Sequence, residues 1–418
     1  MKSLQRIRNK ETQKTSRLGW IIGTAVVSRL AINTSRRFLY PFAPVLSHAL
    51  GVPLSAITSL IAANQITGIL SLFFAPIGDY LGYRLMMTVG LMLLAVGMIG
   101  GGVFPWYGTV LFAVFLAGLG KGIFDPALQA YIGKQVPFER RGLVIGIAET
   151  CWAGSTLLGI PLVGILIERF HWRLPFFVLG SIALTGMIAL RVLIPPDSEY
   201  AGSSHHARLN IWQTWRELLH ERAAIAVLAY AFLVNAASDT LFVVYGAWLE
   251  HAFGLSIMAL GFSSIVIGLA ELLGEGLTAL FADRIGLKRA LLLGITFSAV
   301  SYMILPPVGT MLPGALLALF LIFISLEFTI VTSLSLFTEI APQARSTMMS
   351  GYFAMAGIGR ICGTLLGGAL WDTRRIALIA IASAGMSVLA LFTLLWGLQE
   401  KHKGPHSSPS SNLPDKTA

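Results

Sequence analysis

Eleven ionisable side chains lie within stretches that are otherwise apolar. Five are basic (Arg29, Arg36, Arg37, Lys121, Arg360) and six acidic (Asp125, Glu149, Asp239, Glu271, Glu275, Glu327). A charge held in an apolar medium needs a partner or a water-filled cavity. The near balance of signs implies that many of these groups neutralise one another. Two carboxylates, Asp239 and Glu327, are candidates to carry protons, because a carboxylate in a low-dielectric site can exchange its charge for a proton. Arg36 or Arg37 could favour the charged form when the site closes, which would couple protonation to conformation. A permanent salt bridge that fixes packing is the alternative, and direct contact with a solute is a third. Lys121 and Asp125 are four residues apart, so they share a helix face and can pair; Asp125 could instead pair with Arg29. Glu271 and Glu275 share a face too. Two like charges there need a cation, a polar crevice or a partner such as Arg360. Glu149 has no partner that the sequence can name. Asn64 and Gln65 can hydrogen-bond across helices, and Arg37, Phe38, Tyr40 and Phe42 could form a cationic and aromatic mouth.

The elements that must position these groups are long apolar helices. Apolar residues make up 55% of the chain and charged residues only 12%, against about a quarter charged in an ordinary soluble protein. Stretches of roughly 20 residues are long enough to cross a hydrocarbon core of ~30 Å. Twelve are read: 18–45, 55–77, 85–104, 107–132, 143–167 and 174–195, then 223–249, 256–281, 288–307, 312–338, 347–370 and 376–398. An even number places both termini on one side. Of 30 basic residues, 20 lie in the tails and the loops on that side, and four (Arg169, Arg173, Arg374, Arg375) lie opposite. The positive-inside rule predicts that both termini are cytoplasmic, in an inner or plasma membrane. The net charge of +10 needs no nucleic acid, since the basic residues from Lys2 to Arg17 can meet an anionic leaflet. The first apolar run is long and lacks a small-residue cleavage site, which argues against a cleavable signal. Cys151 and Cys362 sit within spans and read as packing residues.

The chain repeats itself. Gly78-Asp79-Tyr80-Leu81-Gly82-Tyr83-Arg84 and Ala282-Asp283-Arg284-Ile285-Gly286-Leu287-Lys288-Arg289 each follow an apolar span, 204 residues apart. At that offset Arg141 matches Arg345, Phe124 matches Phe328, Gly159 matches Gly363 and Gly164 matches Gly368. A duplicated hairpin between spans points to two similar halves. The expected organisation is a basic tail (1–17), a six-helix bundle (18–195), a linker with an amphipathic interfacial helix (196–222), a second six-helix bundle (223–399) and a disordered tail (400–418). In the linker, Trp212, Trp215, Leu218 and Leu219 recur at helical spacing.

These features together resemble the major facilitator superfamily, over nearly the whole chain. The first loop signature departs from the family pattern at Ala75 and Tyr80, and the second, with Asp283-Arg284, fits better. Gly154-Ser155-Thr156-Leu157-Leu158-Gly159-Ile160-Pro161-Leu162-Val163-Gly164 resembles the fifth span of the drug:proton antiporter branch, as does Trp172-Arg173. The fourth span departs from that branch, with Val114 where a basic residue is frequent. Glycines here permit close helix approach, and Pro161 bends the helix. The resemblance implies an all-α fold of twelve transmembrane helices in two pseudo-symmetric six-helix bundles. It implies that spans 1, 4, 7 and 10 line a central cavity, which would place Arg29, Arg36, Arg37, Lys121, Asp125, Asn235, Asp239 and Glu327 on the pathway. It also implies that Asp79 meets the start of span 11 and Asp283 the start of span 5, so that Asp79, Gly82, Arg84, Arg141, Asp283, Arg284, Gly286 and Arg345 latch the cytoplasmic side. Gly154, Gly159, Pro161 and Gly164 are expected to serve helix packing.

The resulting expectation is a secondary transporter that moves a small solute by alternating access, as a proton-coupled exporter. No Gly-rich phosphate loop ending in Lys-Ser or Lys-Thr is present, so an ion or solute gradient must supply the energy. The expected partners are a small-molecule substrate, protons and the lipid bilayer, with no nucleic acid, cofactor or metal, and the chain is read as a monomer and not an enzyme. Its rivals are uptake of an anionic metabolite, with Arg29, Arg36 and Arg37 as counter-charges, and a transporter-like sensor that moves nothing. A membrane enzyme has little support, because His48, His171, His220 and His251 lie near span ends without metal-ligand spacing.

Overall fold

The computed structural model describes residues 2–136, 144, 146–194, 216, 219–340 and 345–398, with side chains described outside 2–16, 69, 71–81, 338–340 and 345–347. The expected interfacial helix and C-terminal tail fall largely or wholly outside these residues. Among the described residues all regular structure is helical. In chain order the first half holds α1 (Lys2–Arg37), α2 (Ala43–Leu50), α3 (Leu54–Leu81), α4 (Tyr83–Val103), α5 (Tyr107–Gln135), α6 (Gly146–Arg169) and α7 (Leu174–Leu193). The second holds α8 (Arg222–Phe242), α9 (Tyr245–Phe253), α10 (Ile257–Ile285), α11 (Leu287–Val308), α12 (Leu312–Ile340), α13 (Arg345–Trp371) and α14 (Ile376–Gly397). Among the described residues, ten helices are long and apolar enough to cross a membrane, taking α8 and α9 as one, and the bent pair α2–α3 makes an eleventh. The remaining long helix is α1, which corresponds to the first predicted span.

Two predicted spans are not continuous. The first was expected to run over 18–45, but α1 ends at Arg37 and a turn over residues 38–42 separates it from α2. Pro41 and Pro44 explain the break, since neither can donate to the helical ladder. The seventh was expected over 223–249, but α8 ends at Phe242 and α9 begins at Tyr245. No proline lies there. The two breaks touch instead: a Cβ on Gly246 would lie 2.4 Å from the Pro41 carbonyl, so backbone meets backbone between the halves.

Within the first half α4 packs on α5 and α7, and within the second α8 packs on α13 and α14, and α11 on α12. Across the halves α3 packs on α13 and α6 on α10. The α6–α10 contact is close because Gly164 and Gly261 face each other; a Cβ on Gly164 would lie 3.3 Å from the Gly261 Cα. Both helices carry a one-turn π segment, Ser155–Gly159 in α6 and Thr278–Ala282 in α10. Such bulges shift the helix face by one residue and often mark functional sites. Gly82 and Gly286 both have φ +89 at the turns into α4 and α11, a conformation that residues with a Cβ rarely adopt. The outer surface is apolar, with Val96, Leu158, Leu280 and Phe392 all exposed, as a lipid-facing surface requires.

Candidate functional site

Nine of the eleven ionisable residues of the spans form three clusters, and Glu275 and Glu327 join none of them. The first belongs to one half and centres on Arg29, only 5% exposed. Its Nε donates to Asp125 Oδ1 at 3.0 Å and its Nη1 to Glu149 Oε1 at 2.9 Å. Nη1 also donates to the Ala148 carbonyl at 2.7 Å. Lys121 Nζ donates to Asp125 Oδ2 at 2.6 Å and to Asn33 Oδ1 at 2.7 Å. Both partners weighed for Asp125 are therefore present, Lys121 along its own helix and Arg29 from α1. Glu149, which the sequence left unpartnered, meets Arg29 and accepts from Gln129 at 3.2 Å. Two cations face two carboxylates, which offsets most of the desolvation cost of each.

The second cluster joins the halves. Arg37 on α1 forms a bidentate pair with Glu271 on α10, at 2.5 and 3.1 Å. Both are 3% exposed. Thr156 Oγ1 donates to Glu271 Oε2 at 3.0 Å, and Arg37 Nη1 donates to the Trp152 carbonyl at 3.2 Å. The Arg37 guanidinium also stacks over the Trp152 ring at 4.2 Å. A planar fork matched to a carboxylate and covered by an indole is a strong buried ion-pair geometry. The sequence had offered Arg360 or a polar crevice for Glu271 and Glu275, and Arg36 or Arg37 as a counter-charge for Asp239; instead Arg37 pairs with Glu271 and Arg360 lies beside Asp239. The helical wheel explains it, because Asn33 and Arg37 share a face that turns toward α5 and α6, whereas Arg36 points to α3.

The third cluster is a polar string across the molecule. Arg36 Nε donates to Asn64 Oδ1 at 2.7 Å and its Nη2 to Gln65 Oε1 at 3.2 Å. Gln65 Nε2 donates to the Tyr40 hydroxyl at 2.7 Å, which in turn donates to Asp239 Oδ1 at 3.1 Å. Arg360 Nε lies 3.9 Å from Asp239 Oδ2 and donates to Asn235 Oδ1 at 3.1 Å. Asn64 Nδ2 reaches the Val114 carbonyl of α5 at 2.6 Å. The string thus links α3 and α1 of one half to α8 and α13 of the other. Arg36 is held by two amide oxygens and, among the described residues, pairs with no carboxylate.

Glu327 on α12 stands apart from all three. It lies against Gly274 of α10, where an added Cβ would be 2.8 Å from the Glu327 Cβ. Among the described residues it makes no hydrogen bond or ion pair, and Glu271 and Glu275 are electrostatic neighbours. Of the residues that matter here, Asn33 was legible as the same-face neighbour of Arg29 and Arg37. Thr156 and Trp152 carried no signal beyond apolar packing.

The loop residues divide. Arg84 donates to the Arg191 carbonyl at the end of α7. Its counterpart Lys288 donates to the Leu398 carbonyl just past α14, at 2.6 Å. The duplicated basic residue thus caps the last helix of each half. Asp283 and Arg284 are exposed and make no hydrogen bond or ion pair among the described residues. The side chains of Asp79, Arg141 and Arg345 lie outside the described residues. Of the packing residues, Gly159 is pressed on α1, where a Cβ would lie 2.1 Å from Thr34 Oγ1, and Gly154 is looser, 3.4 Å from Leu30. Pro161 follows the π turn. Among the described residues, no three His, Cys, Asp or Glu side chains converge as a metal site would require.

Comparison with known proteins places this geometry. The sequence model described as the Major Facilitator Superfamily matches residues 25–324 and 228–416. An uncharacterized MFS-type transporter of Bacillus subtilis, YceJ, is 28% identical over 82% of this chain and 87% of its own. A multi-drug resistance efflux pump PmrA homolog of Lactococcus lactis is 22% identical over 87% and 91%. Multidrug resistance protein 2 of Bacillus subtilis is 23% identical over 84% and 87%. Among solved structures, the peptide transporter POT in complex with sulfate superposes with a TM-score of 0.72 at 11% identity, over 90% of this chain and 93% of that one, a likeness of fold. The chain belongs to the Major Facilitator Superfamily and is an integral membrane protein of that transporter family.

Proposed function

We propose that the chain is a proton-coupled exporter that works by alternating access, with its two halves moving about the polar string between them. The observation that carries this reading is the path Arg36–Gln65–Tyr40–Asp239–Arg360, which crosses from the first half to the second at the Tyr40–Asp239 hydrogen bond. Asp239 is held by one hydroxyl and a guanidinium at 3.9 Å. A proton on Asp239 would remove the ionic part of its attraction for Arg360 within its own half and turn it from an acceptor toward a donor at Tyr40, so its charge state bears on a contact between halves. Glu327, unpartnered among the described residues and near two other carboxylates, is the second candidate carrier. Efflux is favoured over uptake by the antiporter-like sequence of α6 and by the printed names of two relatives, a multidrug efflux pump homolog and a multidrug resistance protein. The basic residues of the tails and of the loops on their side support a cytoplasmic position for both termini.

The test is flux in proteoliposomes with and without an imposed pH gradient. Asp239→Asn should lose gradient-driven transport yet retain substrate binding. Unchanged gradient-driven transport in that variant would remove Asp239 from the mechanism.

A further inference from the structure

We infer that the cleft between the halves binds an organic monoanion, with its acidic group held by Arg36 and Arg360 and its apolar body against Trp152. This deepens, and rests on, the transporter reading. The charges of the three clusters carry it. Arg29 and Lys121 face Asp125 and Glu149, and Arg37 faces Glu271 in a bidentate pair. Those cations are already paired, so Arg29 and Arg37 have carboxylates in place of a solute.

Two guanidiniums remain under-partnered. Arg36 has only amide oxygens, and among the described residues its Nη1 donates to nothing. Arg360 gives its Nε to Asn235, lies 3.9 Å from Asp239, and has no partner for either terminal nitrogen among the described residues. None of these free nitrogens is among the buried, unsatisfied atoms, so they reach open space. Arg36 and Arg360 come from opposite halves and lie in each other's electrostatic field. Asp239 lies within ion-pair distance of Arg360 alone, and Arg36 meets no carboxylate among the described residues, so its charge has no direct counter-charge there. Two guanidiniums, of which only one has a carboxylate beside it, favour the entry of a single anion.

Trp152 supplies the apolar wall. It is partly exposed, with Lys121 Nζ at 5.7 Å and the Arg360 Cζ at 6.0 Å from its ring. A carboxylate placed between Arg36 and Arg360 would set an attached hydrocarbon beside this indole. Apolar area then adds affinity without a further charge.

The experiment is equilibrium binding to the purified full chain in lipid nanodiscs, with three probes of one shape: 2-naphthoate, the neutral 2-naphthamide and the cationic 2-naphthyltrimethylammonium. The expected order is the carboxylate first and the cation last. Arg36→Gln should weaken 2-naphthoate by at least about tenfold, the loss expected for one charge-assisted contact, and leave 2-naphthamide unchanged. Arg36→Lys should recover part of the loss, and thermal unfolding of each variant reports its folding. If Arg36→Gln does not fold, the wild-type probe order and Arg36→Lys decide. Equal binding of carboxylate and amide, tighter binding of the cation, or an Arg36→Gln variant that binds 2-naphthoate like the wild type would overturn the inference. Flux separates the two readings. Binding of 2-naphthoate with no flux of any solute sinks the transporter reading and leaves the anion site, whereas gradient-driven flux of the cation without anion binding does the converse.

Discussion

The same register of the repeat is packed in two ways. In the first half Gly159 of α6 meets α1 through a side chain, and an added Cβ would lie 2.1 Å from Thr34 Oγ1. In the second half its counterpart Gly363 of α13 meets α8 through the main chain, 2.3 Å from the Ala236 carbonyl. Gly359 and Gly367 extend that seam, against the carbonyls of Phe232 and Thr240. The α6 side has Pro161 and a π turn, whereas α13 is one unbroken α-helix. The buried charge differs in the same sense. The α1–α5–α6 region holds the paired cluster around Arg29, while in the second half Asp239 faces both Arg360 and Tyr40, Glu271 pairs with Arg37 of the other half and Glu327 has no partner among the described residues. At this register one seam is a packing against a side chain that can adjust and the other a rigid contact of backbones. An irregular helix beside a rigid one is a workable arrangement for relative motion, because the strain can be absorbed on one side.

That contrast can be broken most severely at the rigid seam. Gly363→Ala puts a Cβ against main chain, which has no rotamer to yield, so α8 and α13 must part. The expected outcome is loss of a monodisperse peak in detergent size exclusion. Gly159→Ala should also destabilise, but its obstacle is one hydroxyl and one methyl. Thr34→Ala leaves only a Cβ, 3.0 Å away, and should restore most of the melting temperature of the Gly159→Ala variant. No single side-chain change at the facing residues should rescue Gly363→Ala. A suppressor at Ala236 that did so would show that both seams are side-chain packing.

The sequence made the repeat, the long helices and the set of inward charges legible, because each depends on local composition or on spacing along one helix. Lys121 with Asp125 was such a case, four residues apart. The pairing of Arg37 with Glu271 was not, because it depends on where α10 crosses α1, and any of several carboxylates could have met that arginine. The two helix breaks make the same point. Pro41 and Pro44 stand in the sequence for anyone to read, but the break after Phe242 has no proline, and the helix that follows it packs its Gly246 on Pro41, a contact that no window of sequence contains. Tyr40, the hinge of the polar string, looked like one aromatic among several until the chain turned after Arg37.

The next largest effect tests the ion pair between the halves. Arg37→Gln leaves Glu271 buried with Thr156 as its one remaining donor among the described residues. Removing one partner of a buried pair costs about 3–5 kcal/mol, and the melting temperature should fall accordingly. The double variant Arg37→Gln with Glu271→Gln should recover much of that loss, since two amides can pair and no charge is stranded. Arg29→Gln should behave differently: its two carboxylates retain Lys121 and Gln129 as donors, so the loss should be smaller than for Arg37→Gln. Equal losses would mean that the two clusters are not distinguished by how many donors each carboxylate keeps.

The smallest effect is at the ends of the two halves, where the contrast should vanish. Arg84 and Lys288 occupy matching positions of the repeat, and each donates to a carbonyl at the end of the last helix of its half. A cation near a helix C-terminus contributes about 0.3–1 kcal/mol. Arg84→Ala and Lys288→Ala should therefore each lower the thermal stability slightly and by similar amounts, and the double variant should be close to additive because the two caps lie in different halves. A larger loss for one than the other would mean that this loop does more than cap a helix in that half. The transport rate of the two single variants would then show which loop limits the motion.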